Sequence, residues 1–265
     1  MNPLRALLTD TMRSVGLLTR VPVAARWFEG FDGRYDRAAR AFPVVGVLLA
    51  LPIAATAWAA AAIGLPPLAA GLLAIGLGIV LTGALHEDGL ADTFDGLGGR
   101  DRERRLEIMR DSAIGTYGVL ALVVTIGLRA TALGALAYGS GWGIVAVLAA
   151  FAASRAAMVW LWGRTPPART DGAAAASGRP TADAVRVAVA LAAVPLVGAA
   201  FALGPWPVLV ATAAVVAVAT ALRRYALRSL GGHTGDALGA CVGLSETAAL
   251  LALAAGAPAA DMIGS

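Results

Sequence analysis

Seven stretches of this sequence are apolar enough to cross a lipid bilayer, and they constrain the fold more than any other feature. A membrane-spanning helix needs about 20 mainly apolar residues. The sequence therefore predicts an all-α, polytopic transmembrane helix bundle with about seven spans, at residues 43–63, 67–85, 117–138, 141–162, 184–203, 206–222 and 237–258. Because the sixth stretch is short and the seventh contains Glu246, six spans with one re-entrant segment is the alternative.

The composition favours one membrane-embedded unit over soluble domains. Of the 265 residues, 58% are hydrophobic and 14% are charged, whereas soluble domains average about 25% charged residues. We therefore expect residues 1–265 to form a single integral membrane domain, with an N-terminal segment (1–42) followed by the transmembrane bundle (43–258). The isoelectric point near 10.0 could suggest a nucleic-acid partner. The arginines lie beside the spans, however, so the lipid bilayer is the expected partner and nucleic acid is not.

The connections between the apolar stretches alternate in charge. Residues 64–66, 139–140 and 204–205 carry no charge, whereas nearly all the arginines lie in the N-terminal segment and in residues 86–116, 163–183 and 223–236. Loops rich in arginine remain on the cytoplasmic side of a membrane. The pattern therefore predicts that the N-terminal segment and the charged loops face the cytoplasm.

An acidic cluster directly follows the second apolar stretch, within His86-Glu87-Asp88-Gly89-Leu90-Ala91-Asp92-Thr93-Phe94-Asp95-Gly96. Asp88, Asp92 and Asp95 are spaced i, i+4 and i+7, so on a helix they share one face and repel one another. A divalent cation that prefers oxygen ligands, Mg²⁺ or Mn²⁺, would remove this repulsion and would also bind phosphates. The alternative is a solvated acidic loop, which the position beside a span makes less favourable.

A glycine-rich segment precedes the last apolar stretch and includes Gly232, His233, Thr234, Gly235 and Asp236. Backbone N–H groups in such a segment can approach a phosphate at the start of a helix. Gly232, Thr234 and Gly235 are therefore candidate substrate contacts, and Asp236 can complete a metal site from a second helix. Glycine-rich loops are common, so this segment indicates a phosphate site only in combination with the acidic cluster on the same side of the membrane.

The remaining candidates are basic residues. Arg110 and Arg169 lie in the charged loops, where they either hold phosphate oxygens or only set the orientation of the protein. Arg155 lies deep in an apolar stretch and needs a partner, for which an acidic residue is the natural candidate. Arg129 lies near the middle of its stretch and either snorkels or marks a misplaced boundary. His86 is a candidate base, with a purely structural hydrogen-bonding role as the alternative.

The pattern His86-x-Asp88-Gly89-Leu90-Ala91-Asp92-x-x-Asp95-Gly96 resembles the signature of the cobalamin synthases, the adenosylcobinamide-GDP ribazoletransferases. The resemblance continues in order through most of the chain. One departure is Glu87, where a leucine is common in that family, and Glu87 is left out of the ligand set. The other matching segments are Thr19–Val23, Phe42 to Gly46, Leu106–Gly118, Ser154-Arg155, and Gly231–Ala240 with Glu246.

The resemblance implies a Mg²⁺-dependent enzyme of the bacterial cytoplasmic (inner) membrane, with its active site facing the cytoplasm. It implies the joining of adenosylcobinamide-GDP to α-ribazole, or its 5′-phosphate, to give adenosylcobalamin, or its 5′-phosphate, and GMP. Asp236 or His86 would accept the proton of the attacking hydroxyl. The corrinoid, too large to lie between packed spans, would occupy a cytoplasm-facing cavity. The implied metal ligands are Asp88, Asp92, Asp95 and Asp236, and the candidate phosphate or corrinoid contacts are Arg110, Arg155 and Arg169.

Two other functions fit the sequence less well. A CDP-alcohol phosphatidyltransferase also places spaced aspartates beside membrane spans, but its motif has an Ala-Arg pair that is absent after Asp88-Gly89 and Asp95-Gly96. A cation-coupled transporter would suit Arg129, Arg155 and Glu246. Transporters bind their substrates near the middle of the membrane, whereas the strongest acidic cluster here lies at a membrane edge.

Overall fold

The chain folds into an all-α bundle, as predicted, in a computed structural model that describes residues 2–139, 141–170 and 173–256. Within these ranges there is no β-strand, and Pro167 and His233 form an isolated bridge. The helices are α1 (Pro3–Leu18), α2 (Phe42–Ala62), α3 (Pro67–Thr82), α4 (Leu85–Asp95), α5 (Arg102–Ile108), α6 (Thr116–Tyr138), α7 (Gly143–Gly163), α8 (Ala173–Ala176), α9 (Ala182–Leu203), α10 (Pro205–Tyr225) and α11 (Gly235–Ala255).

Six of these helices, α2, α6, α7, α9, α10 and α11, are long and apolar enough to cross a membrane. The shorter α3 also crosses the bundle, because it runs antiparallel to α6. At one end Pro67 packs against Gly134, and one turn further along Gly71 packs against Ala130. Seven helices therefore traverse the bundle, each within three residues of its predicted bounds. Residues 257 and 258 of the last predicted span lie outside the described residues.

The chain turns sharply between α3 and α4. Gly83 and Ala84 both have left-handed backbone conformations, with φ of 64° and 60°, and the two helices meet at 93°. This conformation costs glycine little, but it is strained for alanine. The turn ends the second traversing helix, α3, at Thr82 and sends α4, which carries the acidic cluster, across the end of the bundle.

We call the end of the bundle that carries α4, α5, residues 163–170, 173–181 and 226–234 the charged face. Proline and capping residues set where several helices begin. Pro67 and Pro205 occupy first-turn positions, where no backbone N–H is needed. On the charged face, the hydroxyls of Thr181 and Thr234 accept hydrogen bonds from the first turns of α9 and α11.

The N-terminal segment also lies on the charged face. The Arg20 N–H donates to the Leu81 carbonyl at the end of α3, at 2.8 Å, and the Thr181 N–H donates to the Asp36 carbonyl at 2.9 Å. Asp10 on α1 forms ion pairs with Arg40 at 2.7 Å and Arg37 at 3.4 Å. These contacts attach the segment to the ends of α3 and α9.

Four buried charged side chains form a network inside the bundle. Arg129 on α6 donates to Glu87 at 2.9 Å and to Glu246 on α11 at 3.3 Å, and Arg155 on α7 donates to Glu246. The prediction of an acidic partner for Arg155 is therefore confirmed. Arg129 does not snorkel: it is only 4% exposed, because two carboxylates compensate its charge inside the bundle.

Candidate functional site

The helices α4 and α11, which are far apart in the sequence, meet on the charged face. A Cβ atom added to Gly89 of α4 would lie 2.8 Å from the Asp236 carbonyl oxygen and 2.9 Å from its Cα, so only glycine permits this approach. One turn further along α11, Gly239 packs against the backbone of Leu85 and His86. Small residues let helices approach closely in this way. The contact places Asp88 and Asp236 on the lining of one cavity.

Asp92 lies one helical turn beyond Asp88 on α4, outside the spanning helices, and is partly exposed. Partial burial, together with the negative charges of Asp88, Asp236 and Asp95, raises the pKa of Asp92 from 3.8 to about 7. Like charges held together destabilise one another's ionised forms. The cluster therefore has the electrostatic character that a bound cation would relieve.

The chemistry of these donors suits Mg²⁺, which takes carboxylate oxygens in preference to nitrogen or sulfur. The charges of Asp88, Asp236 and Asp95 act on Asp92, and the charge of Asp88 also acts on Asp236. In the described part of the chain, no three His, Cys, Asp or Glu side chains are already gathered as a metal site. The donor atoms are thus of the type that Mg²⁺ takes, and the metal itself remains a prediction.

Asp95 already has hydrogen-bond partners within the protein. Its two carboxylate oxygens accept hydrogen bonds from the backbone N–H groups of Gly115, at 2.7 Å, and Gly118, at 2.8 Å. These N–H groups lie at the start of α6, where they have no partner within the helix. Asp95 therefore anchors α6 to α4, and we omit it from the metal ligands proposed below.

His86 lies on the inner side of the same cavity and is only 4% exposed. Burial, and then the positive charges of Arg155 and Arg129, lower the pKa of His86 well below its ordinary value of 6.5. Its imidazole is therefore neutral and a weak base at neutral pH. Of the two predicted proton acceptors, the partly exposed Asp236 is better placed to act on a substrate.

The glycine-rich segment before α11 has roles that differ among its residues. Gly232 packs against the backbone of Pro166, Pro167 and Ala168, leaving no room for a side chain. The Thr234 hydroxyl caps α11 by accepting from Ala237 at 3.1 Å. Only Gly235 is exposed and lines the cavity. The predicted phosphate contact is thus best supported at Gly235, because Gly232 and Thr234 stabilise the loop and the helix start.

The predicted basic contacts separate into two groups. Arg110 and Arg169 line an open groove of about 520 Å³ on the charged face, and Arg110 also lines a second groove of about 540 Å³ that reaches Asp95. Arg169 donates to the Leu106 carbonyl, and its positive charge also acts on Asp236. Arg155 is buried and paired with Glu246. We therefore assign Arg155 a structural role in place of the predicted direct contact with substrate.

Sequence reasoning missed two features of this region. It left Glu87 out of the ligand set and gave it no other role, whereas Glu87 ties α4 to α6 through Arg129. It also assigned no role to Arg102, which donates to the carbonyls of Leu230 at 2.8 Å and Ala168 at 2.6 Å. The signal available for the role of Glu87 was the presence of charged residues of opposite sign, at positions 87, 129 and 246, in or beside apolar stretches. The second depends on loop positions that no sequence pattern marks.

Comparison with known proteins agrees with this arrangement of motifs. Residues 10–254 match the protein family described as cobalamin-5-phosphate synthase. The chain belongs to the cobalamin-5-phosphate synthase family. Adenosylcobinamide-GDP ribazoletransferase of Sinorhizobium medicae is 50% identical over 96% of this chain and 99% of its own length. Two further proteins of that name are also similar. The protein from Rhizobium meliloti is 48% identical over 96% of this chain and 99% of its own length. The protein from Brucella canis is 41% identical over 93% of this chain and 96% of its own length. No solved structure matches the chain.

Membership of the cobalamin-5-phosphate synthase family does not favour either alternative function. The match covers α4, α11 and every traversing helix in a single alignment, rather than the acidic motif alone. The charges that suggested a transporter, Arg129, Arg155 and Glu246, are paired with one another inside the bundle. They therefore have a structural explanation that needs no transported ion.

Proposed function

We propose that this protein is a membrane transferase that joins adenosylcobinamide-GDP to α-ribazole or its 5′-phosphate. The products are adenosylcobalamin, or its 5′-phosphate, and GMP. The observation that carries the proposal is the meeting of Asp88 and Asp236 across Gly89, in a chain that belongs to a family of this activity. The spanning helices fit an enzyme that works in a membrane.

In this reaction the 3′-hydroxyl of the ribazole attacks the phosphorus nearer the corrinoid. A new phosphate ester bond forms, the bond to the bridging oxygen of the diphosphate breaks, and GMP leaves with that oxygen. Phosphoryl transfer depends mainly on positioning and on charge stabilisation. The protein must therefore hold two anionic groups beside a hydroxyl and accept one proton.

The charged face offers residues for each of these tasks. A Mg²⁺ ion held by Asp88, Asp92 and Asp236 would neutralise the diphosphate and stabilise charge on the leaving oxygen. Asp236 would accept the proton of the attacking hydroxyl, because it borders the cavity and is partly exposed. Arg110 and Arg169 border the open grooves, where their charge would hold phosphate oxygens of the donor.

The grooves also suit the size of the donor. They are open, have volumes of about 540 and 520 Å³, and lie at the ends of the helices rather than between them. A corrinoid can rest across such a surface, whereas it cannot enter a packed bundle. Because the arginines are concentrated on this face, we propose that the protein lies in the bacterial inner membrane with the charged face towards the cytoplasm.

Turnover by the purified protein tests this proposal. Protein in detergent receives adenosylcobinamide-GDP, α-ribazole and Mg²⁺, and GMP and the cobalamin product are quantified together. We expect equimolar products that require both substrates and disappear when EDTA removes the metal. The substrate assignment fails if the folded protein forms neither product, and the metal assignment fails if EDTA leaves the rate unchanged.

A further inference from the structure

A cavity of about 200 Å³ lies between α4, α11 and the ends of α1 and α7. One side of it is apolar and is formed by Leu17 and Leu18 of α1 and by Met158 and Trp162 of α7. Among its other lining residues, α4 contributes His86 and Asp88, and α11 contributes Asp236. Ligand sites commonly combine apolar walls with a few polar groups that fix orientation.

His86 shows that the polar side is incomplete in the protein alone. The side chain is buried, and neither ring nitrogen has a hydrogen-bond partner among the described residues. Buried polar side chains almost always have a partner, and an unmet one is costly. A nitrogen or hydroxyl group of a molecule in the cavity would supply that partner.

The apolar wall is held in a fixed position. The Trp162 indole N–H donates to the Gly178 carbonyl at 3.0 Å. Its ring packs against Phe42 and His233, with centroid distances of 6.1 and 6.5 Å. An aromatic ring held in this way suits an aromatic ligand, because ring faces and edges attract one another when offset or perpendicular.

We propose that this cavity is the subsite for the aromatic base of the acceptor nucleoside. A bicyclic base with apolar substituents would occupy the side formed by Leu17, Met158 and Trp162, and its ring nitrogen would lie towards His86. The attached sugar would then place its hydroxyls towards Asp88 and Asp236. The inference rests on the proposed function, because that function supplies an acceptor with an aromatic base.

The size of the cavity separates the acceptor from the donor. At about 200 Å³ the cavity admits a bicyclic ring but not a corrinoid. The larger grooves beside Arg110 and Arg169 remain for the donor. The two substrates would thus meet where Asp88 and Asp236 border the cavity.

The test compares two tryptophan substitutions on the same helix. Leu17→Trp adds bulk at a half-buried residue that lines the cavity, whereas Leu8→Trp adds the same bulk at an exposed residue that does not. We expect Leu17→Trp to raise KM for α-ribazole by at least about tenfold and to leave KM for adenosylcobinamide-GDP within about twofold. Leu8→Trp should change neither, and Met158→Ala, which removes contact without adding bulk, should raise only the KM for α-ribazole.

Binding of α-ribazole alone, measured by calorimetry, separates this inference from the proposed reaction. If wild-type protein turns over but Leu17→Trp and Met158→Ala bind α-ribazole as wild type does, the subsite is wrong and the function stands. A rise in KM for the donor instead would assign the cavity to the corrinoid substrate and overturn the inference. If wild type binds α-ribazole with an affinity that Leu17→Trp lowers, yet forms no GMP, the subsite stands and the reaction fails. If wild type neither binds α-ribazole nor turns over, both fail.

Discussion

At the scale of single residues, carboxylates that are neighbours in the sequence have different environments. Glu87 points into the bundle and pairs with Arg129, Asp95 binds the backbone at the start of α6, and Asp88 and Asp92 remain beside Asp236. Of the three aspartates on one helix face, Asp95 thus anchors α6, whereas Asp88 and Asp92 belong to the candidate catalytic cluster. The difference comes from what each carboxylate meets across α4, which helical spacing alone does not reveal.

The burial of Asp92 and the negative charges around it predict that Asp92→Asn stabilises the metal-free protein in a pH-dependent way. A pKa raised in the folded protein means that ionisation costs stability as the pH rises through it. The variant's advantage in Tm should therefore be absent below the ordinary pKa of 3.8, grow as the pH approaches about 7, and then level off. Thermal unfolding in EDTA measures this, with the exposed Asp183→Asn as the control. A constant difference across that pH range would contradict the assignment.

The buried network predicts a large loss of stability for Arg129→Met. This change leaves Glu87 and Glu246 without the partner that lies 2.9 and 3.3 Å away. Breaking a buried ion pair costs about 3–5 kcal/mol. Arg186→Met, which breaks the exposed pair with Asp183, should cost at most about 1 kcal/mol. Equal unfolding temperatures for the two variants in detergent would show that the network contributes no special stability.

At the scale of helices, the site depends on the contact between α4 and α11. The 93° turn after α3 lays α4 across the end of the bundle, and Gly89 lets the start of α11 approach it without a side chain between them. Asp95 and Glu87 then fix α4 to α6 at two levels. The acidic cluster is therefore held by three independent attachments rather than by a flexible loop.

This contact predicts that Gly89→Ala inactivates the enzyme. The added methyl group would lie 2.8–2.9 Å from the backbone of Asp236, so α4 and α11 must separate. Displacement of about 1 Å at a reacting centre can cost about 100-fold in rate, and we expect a loss of at least that size in GMP release. Gly76→Ala, at an exposed helical position with open space, should keep full activity. Normal turnover by Gly89→Ala would show that the close approach is not needed.

At the scale of the whole molecule, charge is segregated to one end of the bundle. The N-terminal segment, α4, α5 and the loops before α9 and α11 lie together there. The short connections after α2, α6 and α9 contain no charged residue, and their described residues lie at the other end. This segregation gives the protein one polar surface on which soluble substrates can bind.

The segregation predicts the orientation of the protein in a bacterial membrane. With the buried Cys241 replaced by alanine, single cysteines are placed at Arg100, whose side chain is 92% exposed on the charged face, and at Gly141, where the added side chain meets open space. A membrane-impermeant maleimide should label Gly141→Cys in intact spheroplasts and Arg100→Cys only after lysis. The reverse pattern would place the charged face outside the cytoplasm.

The sequence predicts the traversing helices well, because apolar length is a local property of the chain. It does not predict the turn at Gly83 and Ala84, since nothing local requires a left-handed alanine. The meeting of Asp88 with Asp236 follows from the resemblance to a known family and from two motifs on the same membrane side. The partners of Glu87, Asp95 and Gly232 could not be predicted, because they depend on which helix faces each residue after folding.

The most direct test of the central claim, that α4 and α11 together form the catalytic site, is the rate of GMP release by Asp236→Asn. This change keeps the size of the side chain but removes the charge that α11 contributes beside Asp88. We predict a fall in kcat of at least about 100-fold, as for loss of a general base, while Asp183→Asn retains the wild-type rate. A folded Asp236→Asn protein with a rate within about twofold of wild type would contradict the claim.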